Sequence, residues 1–494
     1  MQGYVGTRLS IMMFLQFFVW GAWYVTVGNY MTKIGIADSI GWVYTVGPIA
    51  AIISPFFLGM IADRFFATER VLGVMHILGG IALVLSPQLA ELSVEQWAEV
   101  SRGLIAQGID PAEQAKQYFI NPAHYPFIGI LLLHMLCFMP TLGLTNTLAF
   151  HNIKDQEKQF PIIRVFGTIG WIVANIVVSK VFASDETALP LQIGGGAAIL
   201  LGVYCFSLPH TPPPSAGQKA SFRNILGVDS FALLKDRSFS IFMVSSLLIC
   251  IPLAAYYAFA QVFVNQAGFH NPAYSMSFGQ MSEIFFMLIM PFFFRRLGVK
   301  WMLFIGMLAW VVRYGLFALG ASDGVMWMIL TGIVLHGICY DFFFVTGQIY
   351  VDKKAPIAIR GQAQGLLVLV TQGIGLGLGA QIVQRIINNY KVSNLDDLST
   401  QAGLLRDQYD GLMKQAEESP GQADTLIAQA NDVWGQASSL LLQTHDWQSI
   451  WMICAIAAGA VMILFALLYK DDPKTAEAVT EEDVAKAAAI EEGP

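Results

Sequence analysis

Twelve long apolar runs divide the chain, at 9–31, 40–62, 70–90, 125–149, 162–183, 188–207, 239–264, 272–294, 301–320, 325–350, 361–386 and 448–470. A helix needs about 20 mainly apolar residues to cross the hydrocarbon core of a bilayer. Lipid offers the backbone no hydrogen-bond partner, so runs of this length must satisfy their own N–H and C=O groups, and they do so as helices. The expected fold class is therefore an all-α polytopic membrane protein with twelve transmembrane helices. Composition leads the same way. The 494 residues are 55% hydrophobic and 13% charged, about half the charge of an ordinary soluble chain. That leaves too little polar surface to cover a globule of this size in water. No basic tract points to nucleic acid, and the net charge of −7 says little about partners. The five cysteines all fall inside the apolar runs, none in a CxxC pair, and read as small apolar residues. The first run lacks a small-residue cleavage site and reads as a span, with no cleavable signal peptide.

Lysine and arginine set the expected orientation. With the N-terminus inside, the inner loops hold Arg64, Arg70, Lys154, Lys158, Lys219, Arg223, Lys235, Arg237, Arg295, Arg296, Lys300, Lys353, Lys354 and Arg360. The short outer loops hold essentially none. Both termini are thus expected in the cytoplasm. Two outer segments are long: 91–124, of mixed polarity, and 387–447, where Leu404, Leu405, Tyr409 and Leu412 fall at helical spacing. The second predicts one or two amphipathic helices outside the membrane, a packed lid or spacer or else a partner surface. The tail 471–494 alternates Ala with Glu and Lys and reads as a frayed helix or disorder. The Pro-rich stretch 208–238 lies between spans six and seven, dividing the chain into halves at 1–207 and 239–470 joined by a cytoplasmic linker. Two such six-helix halves are the plan of the major facilitator fold. An internal echo fits: Pro55-Phe-Phe precedes Asp63 and Arg64 after span two, and Pro291-Phe-Phe precedes Arg295 and Arg296 after span eight. Asp63 and Arg64 read as a gating turn at the cytoplasmic face.

A charge at the bilayer centre costs about 2.5–3.5 kcal/mol on insertion scales, so intramembrane ionisable residues are functional candidates. Here they are Glu283, Asp341, Arg313, Lys180 and Arg164, with His76, His134 and His336. Asp341 precedes Asp352 by eleven residues, roughly 16 Å of helix, and Glu283 precedes Arg295 by twelve, roughly 18 Å. Both carboxylates sit near mid-depth in the same half. They are either quietly paired, for example with Arg313, or they form a proton-titrating site, since burial disfavours an ionised carboxylate. Gln280 shares a helix face with Glu283, and the pair can hold a polar ligand. Arg164, Thr168 and Trp171 form an i, i+4, i+7 stripe on span five: a cation, a hydroxyl and a flat π-face, suited to a ring-bearing, hydroxylated ligand. Arg164 reads equally as a snorkelled end anchor. Gln16, Trp20 and Trp23 on span one read first as packing. On span ten, Tyr340 beside Asp341 is a better ligand candidate than His336, one turn earlier. Tyr257 and Gln261 are i, i+4 on span seven. Spacing assigns no role to Lys180 or Arg313. Neither a nucleophile–base pair nor a metal cluster is evident, so no enzyme and no cofactor is expected.

Several segments resemble a known family. They are Leu15-Gln16-Phe-Phe-Val-Trp20-Gly-Ala-Trp23, Met139-Pro-Thr-Leu-Gly-Leu-Thr-Asn146-Thr, Ile163-Arg164-Val-Phe-Gly167-Thr168-Ile-Gly170, Gln280-Met-Ser-Glu283, Asp341-Phe-Phe and Ile359-Arg360-Gly-Gln-Ala-Gln364-Gly. In this order, across nearly the whole chain, they resemble the bacterial nucleoside:proton symporters of the major facilitator superfamily. The two long outer segments are not covered. The resemblance implies an importer of nucleosides driven by the proton gradient, in a bacterial inner membrane, working as a monomer. It implies a site lined by Arg164, Thr168, Trp171, Gln280, Glu283, Tyr340 and Asp341. One departure concerns span seven, where the family's polar pair falls on Ala254 and Tyr257. Another is His336, which stands where a Tyr is usual. Two rival readings remain: an importer of a sugar or other polar solute, and a non-transporting sensor or scaffold that uses 387–447 as its partner surface. The expectations are that Asp341 carries the proton and that Glu283 and Gln280 contact ribose or base.

Overall fold

The computed structural model describes residues 2–57, 65–115, 117–118, 120–213 and 227–470. The expected gating turn at Asp63 and Arg64, the middle of the linker and the tail lie outside the described residues. Among the described residues the chain is helical, and the expected spans appear in order. Span one covers Tyr4–Lys33, span three Thr68–Ala106, span four Pro122–Asn152, span five Gln159–Val181 and span seven Arg237–Gln266. Span ten is Met326–Lys354, span eleven Arg360–Asn389 and span twelve Trp447–Leu468. Span two, Ile40–Phe57, and span six, Leu189–Cys205, are shorter. Spans eight and nine form one helical run, Pro272–Ala321, turned at Gly298 (φ 67°, ψ 178°). That conformation is open to glycine and strained for other residues.

The long outer segments depart from their sequence reading in detail. Span three does not end near residue 90 but continues to Ala106, 39 residues in all, about 58 Å at 1.5 Å per residue. The polar residues past Ser93 keep helical backbone because nothing there breaks the helix. The insertion forms two antiparallel helices, Leu395–Glu418 and Ala423–Leu442, packed on each other. Its ends are clamped: Val392 N–H donates to Thr444 O at 3.0 Å and Asp446 N–H to Tyr390 O at 2.9 Å.

Small residues let spans meet backbone to backbone, the usual membrane solution where no hydrophobic effect drives helices together. A Cβ on Gly170 would lie 2.1 Å from Phe14 O, so spans five and one touch there. A Cβ on Gly337 would lie 2.6 Å from Ser282 O, so spans ten and eight touch likewise. Ser282 Oγ donates to Val334 O at 2.6 Å and accepts from Gly337 N–H at 3.0 Å, which fixes the register of these two spans.

On the insertion side the two halves are bonded to each other. Gly41 N–H donates to Gln384 Oε1 at 2.7 Å, and Gln381 Nε2 to Thr45 Oγ1 at 2.8 Å. Asp185, in the loop after span five, accepts from Gln261 Nε2 and from Ala273 N–H, each at 2.9 Å.

Candidate functional site

The close approach of spans eight and ten brings Glu283 to His336, with Glu283 Oε2 3.8 Å from His336 Nε2. From span five, Arg164 acts electrostatically on Glu283. The guanidinium of Arg164 also lies over the Phe17 ring of span one, 4.3 Å from its centroid. Arg164 is half-buried, so it faces the interior between the halves and does not reach out as an end anchor. Two turns on, Trp171 is buried with its ring edge-on to Trp20, centroids 5.8 Å apart. Thr168 lies half-buried between them in sequence.

Span ten is irregular where its polar residues stand. It breaks at Leu335, resumes over His336–Tyr340 and then widens into a π-helical turn over Asp341–Val345. Such turns are rare and gather at functional sites. Asp341 opens the turn and is fully buried. His336 stacks with two rings, Tyr256 and Tyr340, each with its centroid 5.4 Å away. Tyr257 is half-buried and lies within the electrostatic reach of Glu283 and of Tyr24 on span one.

Several buried polar atoms here have no hydrogen-bond partner: Gln280 Oε1, His336 Nε2 and Trp171 Nε1. Buried polar groups in proteins are nearly always satisfied. Three unspent ones stand on spans five, eight and ten. Acceptors (Glu283, Gln280), donors (Arg164, His336, Trp171) and flat rings (Trp171, Tyr340) match a ligand with hydroxyls and a planar ring.

Not every candidate joins this group. Gln261 gives its amide N–H to Asp185 at the insertion end of span seven. Lys180 is exposed and rests over the Tyr274 ring, 4.8 Å from its centroid. His76 and His134 are committed in the first half: His76 Nε2 bonds Gln16 Oε1 at 2.7 Å and His134 Nδ1 bonds Gly79 O at 2.9 Å. Gln16 in turn donates to Thr141 Oγ1 at 2.8 Å. The residue that sequence reasoning undervalued is His336. Its signal was the one-turn spacing to Tyr340; its contact with Glu283 comes from another helix and no spacing rule shows it.

A model of the family described as Nucleoside H+ symporter matches residues 4–97 and 120–404. YegT of Escherichia coli (strain K12) is 40% identical over 384 residues, covering 76% of this chain and 83% of its own. The chain belongs to the nucleoside H+ symporter family. Nucleoside permease NupG of the same organism is 31% identical, covering 80% of this chain and 90% of its own. The crystal structure of the nucleoside transporter NupG superposes with a TM-score of 0.71 at 26% identity, covering 95% of this chain and all of that one. A bacterial homologue of the human lysosomal transporter Spinster shares the fold alone, at 13% identity and a TM-score of 0.60. This symporter is thus a membrane transporter, not an enzyme, and an all-helical protein of the major facilitator fold.

Proposed function

We propose that this symporter imports a nucleoside together with a proton by alternating access around the site between spans five, eight and ten. The observation that carries the assignment of the site is the set of unspent buried polar atoms Gln280 Oε1, His336 Nε2 and Trp171 Nε1 on these three spans, together with Glu283 Oε2 lying 3.8 Å from His336 Nε2. Glu283 and Gln280 take ribose or base hydrogen bonds; Arg164 and Thr168 contribute a charge and a hydroxyl; Trp171, Tyr257 and Tyr340 supply flat faces. Asp341, buried at the head of the π-helical turn, carries the proton. A transport equilibrium shifts only through different affinities in different states, so Asp341 must change surroundings as the two halves rock. The chain works as a monomer in a bacterial inner membrane with both termini in the cytoplasm.

Labelled uridine uptake into proteoliposomes tests this reading. An imposed inward proton gradient is expected to drive accumulation above the external concentration. Uptake indifferent to the gradient would sink the coupling. A competition panel of purine and pyrimidine nucleosides ranks the substrates. A second reading, another polyol-bearing solute, is favoured by span seven, where Ala254 packs against Gly379 and offers no amide; sugars in the same panel decide it.

A further inference from the structure

Arg313, on span nine, is fully buried, and the mechanism above gives it no task. Its guanidinium lies over the Tyr256 ring, 3.3 Å from the centroid, and its Nη1 stands 3.3 Å from His336 Nδ1. A guanidinium has five N–H donors and no acceptor. The Nδ1 that faces it must therefore accept, and an accepting ring nitrogen carries no proton. A neutral imidazole then holds its one proton on Nε2, the nitrogen 3.8 Å from Glu283 Oε2. The ring has little freedom to turn out of this arrangement. Tyr256 and Tyr340 both stack with it, at interplanar angles of 19° and 25°, and Gly279 of span eight abuts its Cβ.

The groups around His336 are few. Span seven presents Tyr256 and Tyr257, span eight Glu283, and span nine Arg313. Span ten itself adds Cys339, Tyr340 and Asp341, and Arg164 of span five acts through Glu283. Among these, Arg313 is the group whose bond to Nδ1 selects the tautomer.

We propose that Arg313 is a positioning residue for the transport site: by donating to His336 Nδ1 it holds the imidazole singly protonated, with Nε2–H facing Glu283. While that bond stands, His336 cannot take a second proton. It serves as a fixed donor, and proton exchange in the site falls to the carboxylates alone. This rests on the assignment of Glu283 to the substrate site. It explains why a histidine, the side chain most ready to titrate near neutral pH, can stand in a proton-coupled site without adding a competing proton.

Two measurements that need no substrate test it on the full chain. In the 15N-histidine spectrum of the purified protein, the signals lost in His336→Gln report on His336. The expected pattern is an unprotonated Nδ1 and a protonated Nε2, unchanged between roughly pH 5 and 8. The opposite tautomer, or an imidazolium in that range, overturns the proposal. The second measurement follows thermal unfolding against pH in wild type, Arg313→Gln, His336→Gln and the double variant. Arg313→Gln is expected to gain a titration step within about pH 5–8 that wild type and His336→Gln lack and that the double variant loses. A step that persists in the double variant, or an Arg313→Gln curve parallel to wild type, overturns it. If Arg313→Gln does not fold, the spectrum of the unaltered protein decides. Uridine uptake by the wild type, run alongside, fails on its own if the nucleoside reading is wrong, so the two failures are distinguishable.

Discussion

At the scale of single residues, the two buried carboxylates of spans eight and ten separate by experiment. Asp341→Asn is expected to abolish accumulation driven by a pH gradient while sparing exchange of labelled for unlabelled nucleoside. Loss of both to the same degree would deny Asp341 a proton-specific role. Glu283→Gln is expected to weaken substrate binding. A hydrogen bond to a charged group is worth about 1.5–3 kcal/mol, or roughly ten- to a hundred-fold in Kd; a titration of binding by thermal shift reads it. The glycine contacts that place these residues are testable too. Gly337→Ala would set a methyl carbon 2.6 Å from the Ser282 carbonyl. Overpacking of this kind costs about 1–3 kcal/mol, and it must push spans eight and ten apart where Glu283 meets His336. A lower unfolding temperature in mild detergent together with reduced uptake is expected. The sequence showed the carboxylates, because depth follows from counting residues along a helix. It could not show that Arg313 would meet a histidine and not a carboxylate, since that depends on how span nine is rotated against span ten.

At the scale of elements, the insertion hairpin has a defined mooring. Arg406, on Leu395–Glu418, pairs with Glu186 in the loop after span five and reaches Asn265 Oδ1 at the end of span seven at 3.3 Å. It also lies over the Trp434 ring, 4.9 Å from the centroid, while Trp434 Nε1 donates to Gly268 O at 2.8 Å and His270 stacks on the same indole. The hairpin thus touches both halves at their insertion-side ends, outside the transport site. Because Tyr390 and Asp446 are already bonded to each other, Leu395–Leu442 can be replaced by a short linker. Residual uridine uptake is expected in that deletion; complete loss with the protein still folded would show that the hairpin is itself needed for transport.

The mooring also carries a pH dependence. Burial alone would raise the Glu186 carboxyl, but the Arg406 charge and the Asn265 hydrogen bond outweigh it and hold the group below its ordinary value. Burial, then the Arg406 charge, hold His270 below the ordinary histidine value. Both are depressed in the folded state. Their contributions are complete above the unfolded values and are lost as pH falls through the folded ones. For His270 the loss begins below about pH 6.5, and for Glu186 below about pH 4.3. Limited proteolysis of the hairpin is expected to speed up as pH drops from 7 to 5, and His270→Phe to flatten that change.

At the scale of the whole molecule, the bonds between the halves on the insertion side describe a closed face. Gly41 with Gln384, Thr45 with Gln381, and Asp185 with Gln261 and Ala273 must all part before that face can open. Gln384→Ala combined with Gln261→Ala is expected to raise the open population. A cysteine replacing Thr45, in a background without the native cysteines, would then react faster with a membrane-impermeant thiol reagent. Equal rates would show that these bonds do not hold the face shut.

Hydropathy alone determined that this chain crosses a membrane about twelve times, because lipid leaves a long apolar segment one way to satisfy its backbone. Residue counting set Glu283 and Asp341 well inside their spans, where the structure buries both, and helical spacing determined that Arg164, Thr168 and Trp171 share a face. Only the tertiary structure decided which faces meet. It drew Gln261 to Asp185, put His336 between Glu283 and Arg313, and split span ten at Leu335 before the π-helical turn at Asp341. The physical reason is that periodicity along one helix fixes depth and direction. The partner across the gap is set by glycine contacts such as Gly170 on Phe14 and Gly337 on Ser282, which join residues far apart in sequence and leave no periodic trace in either segment.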